Sequence, residues 1–130
     1  MKIQESTENY LETIFMLSKN SNQVRAIDIA TALEYSKPSV SVAMKKLRLD
    51  GHITIDNNGF ITLTENGNAI AQSMYERHTL ISNWLISLGV VETTALNDAC
   101  RIEHVISEQS FLAIKHFIEK TAPTAVTSQD

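Results

Sequence analysis

The segment IDIATALEYSKPSVSVAMKKLRLDG, residues 27–51, decides the fold. Ile27 to Leu33 has the apolar spacing of a short helix, Glu34-Tyr35-Ser36 is a tight break, and a second helical pattern runs from Lys37 to Asp50. Ser36 suits an N-cap, and Pro38 falls in the first turn, where a missing N–H leaves no helical bond unmade. Val40, Ala43, Met44 and Leu47 recur on one side as an inward stripe, which turns Ser39, Ser41, Val42, Lys45, Lys46 and Arg48 outward. Gly51 ends the helix. Beyond it, Ile53-Thr54-Ile55 and Phe60-Ile61-Thr62-Leu63 alternate around Asp56-Asn57-Asn58-Gly59, whose Asn-Gly step favours a hairpin with positive φ. Two helices across a tight turn, followed by a hairpin, is the order of a winged helix-turn-helix.

Outward from this segment the chain is helical. Tyr10, Leu11, Ile14, Phe15 and Leu17 predict a first helix over residues 7–19 with Ser6 as its N-cap, closed by Asn20-Ser21-Asn22. After the hairpin, Thr64 suits the cap of a long helix reaching about Leu88, with Ile70, Met74, Tyr75, Ile81, Trp84 and Leu85 on its apolar side and Gly89 as its stop. Two more helices are expected over Thr94–Ile106 and Glu108–Lys120. The fold class is therefore mainly α: a winged helix-turn-helix over residues 1–66, a helical domain over 67–120 and a frayed tail over 121–130.

Composition narrows the function. A chain of 130 residues has room for one domain or a small module plus a helical lobe, which excludes a multidomain enzyme. No apolar run reaches the ~18 residues of a membrane span, and the N-terminus lacks the apolar segment of a signal peptide, so a cytoplasmic protein is expected. The single cysteine, Cys100, rules out an internal disulfide framework. Net charge is −4, yet Ser36 to Leu49 holds Lys37, Lys45, Lys46 and Arg48 with no acid, so a +4 segment lies in a chain that is otherwise −8. That segment is an anion-binding candidate. Its helix can enter the major groove of double-stranded DNA, with serine hydroxyls and the helix N-terminus on phosphates and the cations neutralising the backbone. The residues assigned to DNA are Ser36, Lys37, Pro38, Ser39, Ser41, Val42, Lys45 and Lys46, with Asn57 and Asn58 at the hairpin tip. Val42 can contribute only an apolar contact, such as with a thymine methyl.

A second signal is Cys100-Arg101-Ile102-Glu103-His104. Cysteine, glutamate and histidine at i, i+3 and i+4 share one helix face, and thiolate, carboxylate and imidazole together are a mixed transition-metal set. The same residues also allow a core cysteine beside an ordinary Glu–His surface pair. His78 on the long helix, and Glu12 with Asn9 on the first, are available to extend the set, whereas His52 and His116 have no comparable neighbours. Cys-x-x-Glu-His is one substitution from the His-x-x-Glu-His pattern of inverted zinc proteases. A hydrolase would need an open coordination position and a separate base, and nothing in the chain obviously supplies that base.

Ser6-Thr7-Glu8-Asn9-Tyr10-Leu11-Glu12, Asp28-Ile29-Ala30, Ser36-Lys37-Pro38-Ser39-Val40-Ser41, Leu63-Thr64-Glu65-Asn66-Gly67, Arg77-His78 and Cys100 to His104 together resemble the diphtheria toxin repressor and manganese transport regulator family, over residues 5–120. The resemblance implies a metal-dependent transcriptional repressor, not an enzyme: a winged-helix DNA-binding domain, a helical dimerisation domain, and metal between them that staples the lobes. It implies a homodimer on operator DNA, with no membrane and no organic substrate. The length resembles the short branch without an SH3-like domain. Carried over residue by residue, His78, Glu103 and His104 match ligands of both branches and Glu12 a ligand of the manganese branch. Cys100 stands where that branch has glutamate and the iron branch cysteine, and Asn9 replaces an aspartate or methionine. Ser82 and Leu96 stand where the longer branch places second-site ligands.

The implied ligand set is thus Asn9, Glu12, His78, Cys100, Glu103 and His104, for Mn²⁺ or Fe²⁺, with Co²⁺, Ni²⁺ or Zn²⁺ able to substitute in vitro. The function expected is repression of metal-uptake genes in response to cytosolic metal. Two alternatives stand beside it: a winged-helix regulator that has lost metal control, with Asn9 as the first sign, and a zinc hydrolase. For the dimer, Ile102, Val105, Ile106, Phe111, Ile114 and Ile118 are the expected apolar surface.

Overall fold

The structure, a computed structural model, describes residues 2–121, with side chains from Glu5 onward; of the tail expected over 121–130, Thr121 is the last residue of a helix and 122–130 lie outside the described residues. Its elements are α1 (Lys2–Ser18), α2 (Ala26–Leu33), α3 (Lys37–Leu49), β1 (Ile53–Ile55), β2 (Ile61–Leu63), α4 (Glu65–Ser87), α5 (Glu92–Val105) and α6 (Glu108–Thr121). They form two compact units that meet in sequence at Tyr75 and Glu76, inside α4. In the first turns of α4, Ala71 is fully buried in the core of the first unit and Ile70 packs against it.

In the first unit, Tyr10, Leu11 and Ile14 of α1, Ile29 and Ala30 of α2, Val40, Met44 and Leu47 of α3, and Ile53 and Ile61 of the hairpin make one apolar core. Burying an aliphatic side chain of this size is worth about 1.5–3 kcal/mol, so α3 is held by its inward stripe while its outer face stays in solvent. The break between α2 and α3 turns on Glu34, whose φ of 60° is the left-handed conformation that ends α2. Ser36 then caps α3 by accepting from the amide of Ser39 at 3.3 Å. The antiparallel strands pair Ile53 with Leu63 and Ile55 with Ile61. Gly59 takes the expected positive φ, 83°, but Asp56 does much of the work in the turn: its carboxylate accepts from the amides of Asn58 and Phe60, both at 2.9 Å.

Helix α1 begins at Lys2, so Ser6 sits within the helix and is not its N-cap. Thr64, by contrast, caps α4 as expected, accepting from the Gly67 amide at 3.1 Å and donating to the Gly51 carbonyl at 2.7 Å. The second unit packs Ile81 of α4, Ala99 of α5 and Phe111 of α6 together, with Leu80, Leu85, Ile102 and Ile106 around them. Phe111, expected on a dimer surface, is a core residue at 3 % exposure, whereas Val105 is 74 % exposed and Leu112 and Phe117 are also open. No helix of the described residues is long and apolar enough to cross a membrane.

Candidate metal centre and nucleic-acid interface

Four of the six expected ligands lie together in the second unit. Glu103, on the inner face of α5, has no solvent exposure, and its two carboxylate oxygens are divided between two imidazoles. Oε1 lies 2.9 Å from His78 Nδ1 on α4, and Oε2 lies 3.4 Å from His104 Nε2, one residue further along α5. The His104 side chain is 3 % exposed and that of His78 25 %. Cys100 is exposed, and its sulfur stands within 4.8 Å of ligand atoms of Glu103 and His104. Helical geometry accounts for the assembly, since residues three and four apart project from the same side of consecutive turns.

The chemistry of this set fits a divalent transition metal. A fully buried carboxylate carries a desolvation penalty that needs compensation by charge or hydrogen bonds, and here imidazole nitrogens and a sulfur are grouped around it. Cys100, Glu103 and His104 bring a sulfur, a nitrogen and a carboxylate oxygen within 4.8 Å of one another, a borderline donor set harder than a thiolate site and softer than an all-oxygen one, and His78 meets the same carboxylate through its Oε1. An ion there would supply positive charge to the buried carboxylate and join α4 to α5. Asn9 and Glu12 are on α1, in the first unit, three residues apart and so on one face. Asn9 is half-buried, and its carbonyl accepts from the Thr13 hydroxyl at 2.9 Å. Ser82 donates to the Thr79 carbonyl at 3.3 Å, and Leu96 is apolar and 39 % exposed, so neither position offers a strong second-site donor.

The DNA-facing candidates are distributed as the helical period requires. Ser36, Lys37, Pro38, Ser39, Ser41, Val42, Lys45 and Lys46 are all exposed, as are Asn57 and Asn58 in the hairpin turn. Val42 is 69 % exposed, an apolar group standing among serines and lysines on the outer face of α3. Lys46 is already engaged, 3.0 Å from the Asp50 carboxylate at i+4. Sequence reasoning passed over Arg25, whose guanidinium stacks 4.7 Å above the Phe60 ring and so ties the start of α2 to the hairpin. The Val24 carbonyl adds to that tie by accepting from the Ile61 amide at 2.7 Å. Arg77, quoted with His78 as a mark of the resemblance, was given no role of its own. Its guanidinium, 9 % exposed as a residue, reaches the end of α5, and only its adjacency to His78 hinted at a role.

Comparison with known proteins finds a family model for each half of the chain. Residues 2–59 match the family model described as iron dependent repressor, N-terminal DNA binding domain, and residues 64–123 match the iron dependent repressor metal binding and dimerisation domain. The transcriptional regulator MntR of Escherichia coli is 34 % identical over 116 residues, spanning 89 % of this chain and 75 % of that protein. An HTH-type transcriptional regulator of Methanocaldococcus jannaschii is 33 % identical over 118 residues, spanning 89 % of this chain and 94 % of the relative. Among solved structures, the manganese regulator SloR superposes with a TM-score of 0.77 at 29 % identity, covering 87 % of this chain and 53 % of the other. A manganese-dependent transcriptional repressor in complex with manganese gives 0.79 at 25 % identity, covering 87 % and 52 %, so this chain spans about half the length of either solved chain. With a DNA-binding model on the winged unit and a metal-binding model on the unit that holds His78, Cys100, Glu103 and His104, the chain belongs to the iron-dependent repressor family of metal-dependent transcriptional regulators, which are not enzymes.

Proposed function

We propose that this chain is a cytoplasmic sensor of Mn²⁺ or Fe²⁺ that, as a homodimer, represses genes for metal uptake. The observation that carries the proposal is the fully buried Glu103 carboxylate between the imidazoles of His78 and His104, with Cys100 alongside. A dimer places two α3 helices on half-sites about one helical turn, roughly 34 Å, apart. The open apolar residues Val105, Leu112 and Phe117 are candidates for the surface between protomers. Asn9 and Glu12 are assigned as further ligands on the strength of the family resemblance, and metal titration of Glu12→Gln tests that assignment. Cys100 bears on the choice of ion. Divalent affinity rises from Mn²⁺ through Fe²⁺ to Co²⁺, and a thiolate steepens the rise because it is softer than a carboxylate.

The test is binding of promoter DNA by the metal-free protein with Mn²⁺, Fe²⁺, Co²⁺ and Zn²⁺ added in turn. Tight binding only after a divalent metal is added, with Fe²⁺ or Co²⁺ effective at lower free concentration than Mn²⁺, is the expected result. Equally tight binding by the metal-free protein would identify a regulator that has lost metal control.

A further inference from the structure

Consecutive residues of α4 hold the same residue of α5, one by its side chain and one by its backbone. His78 meets the Glu103 carboxylate at 2.9 Å, while Arg77 Nη1 donates to the Glu103 carbonyl at 3.0 Å. The same nitrogen donates to the Ile106 carbonyl at 2.9 Å, and Nη2 donates to Glu108 Oε1 at 3.0 Å, at the start of α6. Phe111, in the core of the unit, lies 5.3 Å beneath the guanidinium carbon.

We propose that Arg77 is a positioning residue for the metal centre, fixing the last turn of α5 against α4 so that Glu103 and His104 face His78 in ligating geometry. The proposal rests on the metal-sensor reading above. Its physical basis is the helix end. Arg77 supplies donors to the Glu103 and Ile106 carbonyls, and positive charge, where the helix dipole is negative. A planar fork fixed by two carbonyls, a carboxylate and a ring leaves little freedom of rotation. Because the Glu103 carbonyl and carboxylate belong to one residue, a backbone freed at this point releases the ligand as well. Metal sites lose affinity when ligating groups move by about 0.5 Å, and removing a supporting partner typically weakens binding about 10- to 100-fold.

The experiment uses Co²⁺ as probe in the full chain, reading affinity by competition with a chelator and reading the site from its visible absorption and its thiolate-to-cobalt charge-transfer band. Arg77→Lys keeps a cation but loses the fork. It is expected to remain a folded protein by circular dichroism, to bind Co²⁺ at least about tenfold more weakly, and to show an altered visible spectrum. Glu108→Ala removes one arm at an exposed position, where folding is not at risk, and is expected to weaken Co²⁺ binding by about threefold. If Arg77→Lys fails to fold, Glu108→Ala alone decides. A native spectrum and affinity in the folded variants, even with a lowered melting temperature, would overturn the proposal by making Arg77 a structural cap only. Absence of a cobalt spectrum in the unsubstituted protein would instead overturn the metal-sensor reading.

Discussion

Replacing Lys45 by alanine isolates the electrostatic part of DNA binding. Lys45 is exposed on the outer face of α3, directly behind the apolar stripe residue Met44, so its loss leaves the core of the unit untouched. Affinity for B-DNA falls with salt as log K against log concentration with a slope of about −0.9 per neutralised phosphate. If the four cations of Ser36 to Leu49 each meet one phosphate, a dimer neutralises about eight and the slope is about −7. Lys45→Ala removes two contacts per dimer and should make the slope shallower by about 1.8 units. Between 50 and 200 mM salt, the fourfold rise would then weaken the variant about twelvefold less than the native protein. The effect should appear equally on every duplex, because a phosphate contact carries no sequence information. Lys46→Ala should change the slope less, since its ammonium is already shared with Asp50 at 3.0 Å, and Asp50→Asn should steepen it. Fluorescence anisotropy of a labelled duplex across a salt series makes the measurement. An unchanged slope in Lys45→Ala would remove the outer face of α3 from the interface.

Three further outcomes follow from single residues. Cys100→Glu should lower the preference for Co²⁺ over Mn²⁺ in metal titrations of DNA binding, because a soft donor is exchanged for a hard one; an unchanged ratio would mean that Cys100 is not a ligand. Gly67→Ala would drive a Cβ into the His52 carbonyl oxygen, a backbone atom at the foot of the hairpin, and should destabilise the first unit by about 2–3 kcal/mol in urea unfolding. Burial of Tyr10, and then the neighbouring Tyr35, raises the Tyr10 pKa above 10.0, so the folded state holds that proton more tightly than the unfolded chain. Its contribution to stability is complete below pH 10 and is lost as pH rises through the raised folded value, and the Tyr10→Phe protein should show a shallower loss of stability over that range.

What could be read in the chain before folding was whatever has a period or a fixed backbone requirement. The stripe Val40, Met44 and Leu47 is visible because 3.6 residues per turn leaves few other ways to bury it, and it fixes by default which side of α3 faces solvent. Asn58-Gly59 marked the hairpin because few residue pairs adopt its dihedrals, but Asp56, which ties two amides into the turn, could not be told from any other loop acid. Ser6 was legible as a cap and proved to be interior, since nothing in Lys2 to Glu5 forbids an earlier helix start. At the metal centre, the spacing of Cys100, Glu103 and His104 predicts a common face but not which side chain is buried. Glu103 is enclosed because α4 lies over it, and that is a tertiary fact. Arg77 escaped for the same reason, its partners being between 26 and 31 residues away along the chain. Phe111 has the spacing of a surface stripe, and the small Ala99 opposite makes room for it inside.

Linkage gives the most direct test of the account, because a metal that activates DNA binding must itself bind more tightly when DNA is present. Mn²⁺ affinity should be measured by competition with a chelating dye, first on the protein alone and then with saturating promoter duplex. A coupling of about 1–3 kcal/mol predicts that DNA tightens Mn²⁺ binding by about 5- to 150-fold, and that the same factor relates the DNA affinities of the metal-loaded and metal-free protein. Glu103→Gln should abolish both effects together. Equal Mn²⁺ affinity with and without DNA, on a protein that binds both, would contradict the claim that this chain is a metal-dependent regulator.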